Sequence, residues 1–446
     1  MNGIGIDIGT TSICLTVIDS VSGEVRKVVN LPNCYGIDAA AYEACQDAEK
    51  ITDVCIGAAD KLMEEFAPVC SIGITGQMHG IVYLDENGKA VSPLYTWQDA
   101  SGNRVLENSG SYAEKLSEIT GYKMATGYGG TTCYCHFVDG KVPENARRIC
   151  TVHDYLCMKL CGLNEPVMHS SDCASFGLFD LGECKFDKKA IADAGMDASL
   201  FPDAVDCAVT AGTYRGIPVC VAIGDNQASF IGSVDDDGAV LINIGTGSQV
   251  SYVTDSCEGT SSMEVRPLHN GSYIRVGAAL CGGRAFASLE KFIRDTINLS
   301  GADISSAYKY IDAYLESSPC PDDRLGVDTR FCGTRENPAL RGGIGNLGLD
   351  NFTPGHLIYG VLEGISGELF AMYGDTQGLN HTSAIGSGNG LRKNKALQKI
   401  IADMFGLPLK IPAHKEEAAY GAALYGMTAA GIFASLDDAR RLIKYI

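Results

Sequence analysis

The 446-residue chain is 46% hydrophobic and 20% charged, which supports two or three cored domains and excludes wholesale disorder. Its 35 basic and 54 acidic residues give a net charge of -19 with no basic block, which argues against a nucleic-acid or anionic-membrane surface. The 18 cysteines are scattered singly with no Cys-x-x-Cys pair, so they read as reduced, small hydrophobes and not as a disulfide framework or a zinc site. No apolar run reaches the roughly 18 residues that span a membrane, and Met1–Ser12 lacks a basic leader, so the expected location is cytoplasmic.

Strands and helices alternate along the chain. Ile4–Ile8 reads as a buried strand and Cys14–Ile18 as its hairpin partner. A helix over Asp53–Phe66 and a strand over Val69–Thr75 follow, and Val219–Ile223 is a further strand that runs into Gly224-Asp225-Asn226-Gln227. Asp235-Asp236-Asp237-Gly238 is the best mid-chain boundary, dividing the chain into residues 1–234 and 235–446. Thr353-Pro354 starts a helix whose inner face is Ile358, Val361, Leu362, Ile365 and Leu369. Ser383–Ile385 and Leu409–Ile411 read as strands flanking a helix that carries Leu397, Ile400, Ile401, Met404 and Phe405. The mixture predicts an α/β protein.

The most informative feature is an internal echo. Residues 5–19 (GIDIGTTSICLTVID) match residues 241–255 (LINIGTGSQVSYVTD) at seven of fifteen positions, with Asp7 facing Asn243. Each copy is a strand, a Gly/Thr/Ser turn and a second strand, which predicts two domains of similar fold. Such turns aim backbone N–H groups and hydroxyls at an anion, so Gly9, Thr10, Thr11 and Ser12, with Gly245, Thr246 and Gly247, are candidate phosphate grips. Asp7, at the end of an apolar strand, is the candidate Mg²⁺ ligand, with capping of its own turn as the alternative. A third glycine-rich stretch, Gly386-Ser387-Gly388-Asn389-Gly390, precedes a helix starting near Asn394 and suits close approach of a ligand.

Asp225 follows a strand beside a glycine, as a general base exposed in a cleft would; a helix-capping Asp is the alternative. Gly76-Gln77-Met78-His79-Gly80 and Thr96-Trp97-Gln98-Asp99 bring together the amides, imidazole, indole and carboxylate that suit a polyhydroxyl ligand. Gly343-Ile344-Gly345-Asn346-Leu347-Gly348 fits a dinucleotide fingerprint in letters, but no strand of a βαβ unit precedes it, and no P-loop occurs.

Together these segments resemble the FGGY carbohydrate kinases over essentially the whole chain. Asp7–Ser12 matches the first phosphate loop, Gly76–Gly80 the ketose-binding segment and Gly224-Asp225-Asn226 the segment of the catalytic aspartate. Asn243–Ser248 matches the second phosphate loop and Gly386–Asn394 the adenosine segment, while Glu363-Gly364 sits where a late helical signature ends. Thr96–Asp99, Ala125–Gly129 and His153-Asp154-Tyr155 look like the branch acting on seven-carbon ketoses. Cys14 departs from the family, which usually has Lys there.

The resemblance implies two ribonuclease-H-like, actin-like domains closing over ATP and sugar. It implies Mg-ATP-dependent phosphorylation of a ketose's terminal hydroxyl, with sedoheptulose first, D-xylulose or another ketose or polyol second. An actin-like ATPase that changes conformation without a sugar substrate is the alternative of another class. Asp225 would be the base; Gln77, Met78, His79, Trp97, Asp99 and Asn226 would bind sugar; Ser387, Gly388 and Asn394 would contact the nucleotide. The implied partners are small molecules, and a homodimer is compatible with the sequence.

Overall fold

The computed structural model describes residues 1–446 except 107–109, 335–336, 338 and 375–379. Two compact units emerge, and they do not divide at a single point of the chain. Met1–Asp235, Arg266–Tyr273 and Glu416–Lys444 form the first; Asp236–Val265, Ile274–Lys415 and Tyr445–Ile446 form the second. The segment Glu416–Lys444, which the sequence reading placed with the second half, thus packs with the first.

The core of the first unit is a seven-stranded sheet. Its centre is β1 (Asn2–Ile8), paired antiparallel to β2 (Ser12–Asp19), which pairs antiparallel to β3 (Val25–Pro32). On its other side β1 runs parallel to β4 (Val69–Gly76), with Gly5 opposite Gly73 and Asp7 opposite Thr75. The sheet continues through a strand at Ile217–Cys220 to an edge strand at Thr210–Tyr214, and a two-residue strand, Ile223–Gly224, also pairs with β4. The single strand expected over Val219–Ile223 is therefore split, because Val221 N–H donates to Val209 and leaves the main ladder.

Alternation explains β1. Ile4, Ile6 and Ile8 are fully buried on one face. Gly3, Gly5 and Asp7 occupy the other, where the helix Glu417–Ala429 lies against β1 and β4. A Cβ on Gly5 would stand 1.8 Å from the Ala419 carbonyl oxygen, and one on Gly73 1.7 Å from that of Ala422, so the helix backbone rests directly on glycine.

Helix α1 spans Ala48–Glu65, five residues earlier than expected, since the Asp47 side chain accepts from Lys50 N–H and Ile51 and Thr52 extend the buried face. Three further helices carry site residues: α2 (Val152–Cys161), α3 (Ser170–Ser175) and α4 (Asp225–Ser233). The 18 cysteines are all free thiols, and most are buried.

The second unit has a sheet with the same logic. Its strands run in the order Ser272–Ala279, Ser248–Thr254, Ala239–Ile244, Ser383–Ser387, Leu409–Lys410. Ala239–Ile244 is antiparallel to Ser248–Thr254 and parallel to Ser383–Ser387, as β1 is to β2 and β4. Helices α5 (Gly282–Asn298), α6 (Pro354–Gly374) and α7 (Lys395–Phe405) cover it. The five expected inner residues of α6 are all buried, and so are Leu397, Ile401 and Phe405 of α7. Gly343–Gly345 forms an exposed two-stranded ribbon with Gly326–Asp328, which is no dinucleotide site.

Candidate active site

The first Gly/Thr/Ser turn is held by side chains from distant parts of its own unit. Asn33 Nδ2 donates to the Gly9 carbonyl (2.8 Å), and Gln46 Nε2 donates to that of Thr10 (2.9 Å). Gln77 Nε2 donates to Gln46 Oε1 (2.9 Å), while Thr10 Oγ1 donates to Gln77 Oε1 (3.3 Å) and accepts from Trp97 Nε1 (2.8 Å). Gln77 is buried and both ends of its amide serve this network, so the structure places it as a support of the turn. Trp97 is 47% exposed and leans on Thr10, while Thr11 and Ser12 are exposed. Neither Gln46 nor Asn33 was singled out from the sequence; they lie in segments without a motif.

Asp7 ends the glycine face of β1, opposite Cys14. Burial first, then the charges of Asp225 and Glu416, push its carboxyl up to about 8. Burial also pushes the Cys14 thiol up to about 12, so position 14 supplies no charge. Asp225 is the first residue of α4; the cap is Gly224, and no side chain caps this helix. Burial raises the Asp225 carboxyl, partly offset by His153 and Arg266. The charges of Asp225 and Glu416 thus bear on Asp7, whose carboxylate oxygen is a hard donor of the kind Mg²⁺ prefers.

Met78 is buried, and a Cβ on Gly224 would meet its Sδ at 2.7 Å. His79 adopts a left-handed backbone (φ +71°) and stacks on Tyr128 at 4.9 Å and 5°. Asp99 is buried; one carboxylate oxygen accepts Ser101 N–H (2.9 Å) and the other has no protein partner. Asn226 follows Asp225 in α4 and is half-buried.

In the second unit the echoed turn lines a cavity of about 350 Å³ with Asn243, Gly245, Thr246, Gly247, Ser248 and the exposed Arg284. The turn has three residues between paired Ile244 and Ser248, against four between Ile8 and Ile13 in the first copy. Gly283 and Arg284 N–H at the start of α5 donate to the Gly245 and Thr246 carbonyls (2.9 and 3.0 Å). A Cβ on Gly283 would lie 2.2 Å from the Gly245 oxygen, which explains the Gly282-Gly283 pair that sequence reading passed over.

Gly386 and Ser387 pair beside Ile242 and Asn243, so the third glycine-rich stretch lies next to the second turn. Gly388 has φ +81°, and a Cβ there would meet the Ile244 oxygen at 2.5 Å. Asn394 caps α7 through Leu397 N–H (2.9 Å) and keeps a buried Nδ2 without a protein partner.

The sequence profile of the FGGY family of carbohydrate kinases matches through its N-terminal domain at residues 3–232 and its C-terminal domain at 240–430. The chain is a member of the FGGY family of carbohydrate kinases. It is 26% identical to a sedoheptulokinase of Homo sapiens over 94% of this chain and 96% of that protein. A xylulose kinase of Streptomyces rubiginosus is 28% identical over 56% and 54% of the two chains. The fold is that of the xylulose kinase from Rhodospirillum rubrum, with a TM-score of 0.83, 22% identity, and 100% and 93% of the chains covered. No helix among the described residues of the kinase is long and apolar enough to cross a membrane.

Behind Asp225 the kinase buries His153, Asp154 and Asp172, whose donor atoms lie within 4.8 Å of one another. Burial pushes the Asp154 carboxyl up to about 8 and that of Asp172 well up, and pushes the His153 imidazole down. All three therefore favour uncharged, hydrogen-bonded forms. A carboxyl raised in the folded state holds a proton that the unfolded chain has already lost. Its contribution to stability is full below about pH 4 and is lost as pH rises through the folded value near 8. The melting temperature of the kinase is expected to fall between pH 6 and 9. Asp154→Asn keeps the acceptor for the Thr151 hydroxyl (2.6 Å) and should flatten that slope by up to about 1.4 kcal/mol per pH unit. An unchanged slope would contradict it.

Proposed function

We propose that the kinase transfers the γ-phosphoryl group of ATP to the terminal hydroxyl of a ketose, with sedoheptulose preferred to D-xylulose. The observation carrying this reading is the carboxylate pair of Asp7 and Asp225. Both belong to the unit that presents His79, and both are raised by burial toward the range in which a base works near neutral pH. The extent of the similarity to the human sedoheptulokinase, nearly full length in both chains, favours the heptulose.

In this mechanism Asp225 accepts the proton of the attacking hydroxyl, and His79, Met78 and Asp99 orient the sugar. Thr11, Ser12 and the Gly245–Ser248 turn donate hydroxyl and N–H groups to the phosphates, and Thr10 its N–H. Asp7 would hold Mg²⁺, which when bound neutralises charge on the transferred group. Gly386, Ser387, Gly388 and Asn394 contact the adenosine. Catalysis rests on positioning and electrostatics.

A coupled assay of ADP release over five- to seven-carbon ketoses and polyols tests the reading. Sedoheptulose is expected to give the highest kcat/KM. A clear preference for D-xylulose would replace the heptulose, and no stimulation by any ketose would overturn the ketose assignment.

A further inference from the structure

The six-residue helix α3 belongs to no motif, yet it connects the two segments assigned to base and sugar. At its start, Ser171 Oγ accepts Gly224 N–H at 3.0 Å, which fixes the residue preceding Asp225. The polarity of that bond is enforced. His169 Nδ1 accepts Ser171 N–H (3.2 Å) and lies 2.9 Å from Ser171 Oγ. Burial pushes the His169 imidazole down to about 3, so Nδ1 is a neutral acceptor and the Ser171 hydroxyl hydrogen points to it. The oxygen lone pair is left for Gly224.

At its other end, Ser175 Oγ accepts His79 N–H at 3.0 Å while donating to the Asp172 carbonyl at 2.7 Å. His79 Nδ1–H donates to the Ser175 carbonyl at 2.6 Å. These two bonds hold His79 in a left-handed backbone that a non-glycine residue rarely adopts. Between the ends, Asp172 is tied to His153 Nε2 of α2 at 2.9 Å, and both are fully buried. The two anchors are four residues apart on one helix face, a rise of about 6 Å.

We propose that α3 is a spacer that sets the distance between the sugar-orienting His79 and the proton-accepting Asp225, with Ser171 and Ser175 as positioning residues. The inference rests on the roles proposed for His79 and Asp225. Because reacting groups must be placed to better than about 1 Å, each serine controls a different kinetic parameter. Ser171 sets the base and so acts on turnover; Ser175 sets the sugar and so acts on its binding.

The test compares Ser171→Ala, Ser171→Thr and Ser175→Ala with wild type, using the acceptor sugar that wild type turns over best. Ser171→Ala should cut kcat about 10- to 100-fold with sugar KM within about twofold, and Ser171→Thr should restore most of it. Ser175→Ala should raise sugar KM about tenfold with a smaller change in kcat. Crystal structures of the two alanine variants, which need no substrate, should show His79 leaving its left-handed conformation only in Ser175→Ala and Gly224 shifting only in Ser171→Ala. The proposal is overturned if kcat and KM move together in both variants or in neither, or if both variant structures superpose on wild type at these residues. Failure of wild type to act on any ketose would instead overturn the substrate reading and leave the structural comparison to decide the spacer.

Discussion

Asp225→Asn is expected to lower kcat by about 10²–10⁴, the usual loss on removing a positioned general base. The substitution keeps the shape of the side chain and removes the proton acceptor. A helix-capping role would predict otherwise, since Asn caps about as well as Asp. The structure assigns the cap to Gly224 and makes Asp225 the first helical residue, where a carboxylate contributes only about 0.3–1 kcal/mol through the helix dipole. Against that small gain stands the cost of holding the charge in a buried setting beside Asp7. The Asn variant should therefore melt at or above the wild-type temperature while its turnover collapses, a combination expected where stability has been given up for chemistry. Measuring kcat and Tm together checks both halves. Near-normal turnover would remove Asp225 from the mechanism.

Gly73→Ala should produce the largest loss of stability, about 3 kcal/mol or more, beyond the usual range for overpacking. The added Cβ would lie 1.7 Å from the Ala422 oxygen and 2.5 Å from its carbonyl carbon, both backbone atoms. No rotamer change relieves such a clash; the helix Glu417–Ala429 must lift from the sheet. Trp97 is the sole tryptophan and lies in the first unit, so its fluorescence in a denaturant titration reports that unit alone. Gly57→Ala is the control: nothing lies within 4 Å of its added Cβ, and alanine in a helix should stabilise by about 0.5–1 kcal/mol. A Gly73→Ala protein that unfolds at the wild-type denaturant concentration would show that the contact is not under constraint.

Much of the fold was legible because its signals are local. The Ile-x-Ile-Gly-Thr-x-Ser echo marks two strand–turn–strand units, and both appear as antiparallel hairpins beside a parallel strand. The inner face of α6 follows from helical spacing alone. The parts that escaped depend on chain segments brought together from far apart. Gln46 is 36 residues from the turn that it braces, and the charge of Glu416 acts on Asp7 from the opposite end of the chain. Helix α3 is too short to show periodicity, and its serines act through hydrogen bonds that no spacing announces. The helix Glu417–Ala429 is built of small residues buried nearly all round, so no apolar stripe indicates which sheet it covers. Its glycine contacts with β1 and β4 show the answer only in three dimensions.

That helix also bears on how the molecule is made. The central strands β1 and β4 are complete by residue 76, but the glycine-lined face they share is closed by a helix that ends at Ala429. At ribosomal speeds of about 5–20 residues per second, this face stays open for roughly 20–70 s after β4 has been synthesised. Of the last 31 residues the second unit takes only Tyr445–Ile446, and its strands Ala239–Ile244, Ser248–Thr254 and Ser383–Ser387 are all made before the helix that closes the first unit. The half of the chain synthesised first is therefore the half whose central sheet is covered last.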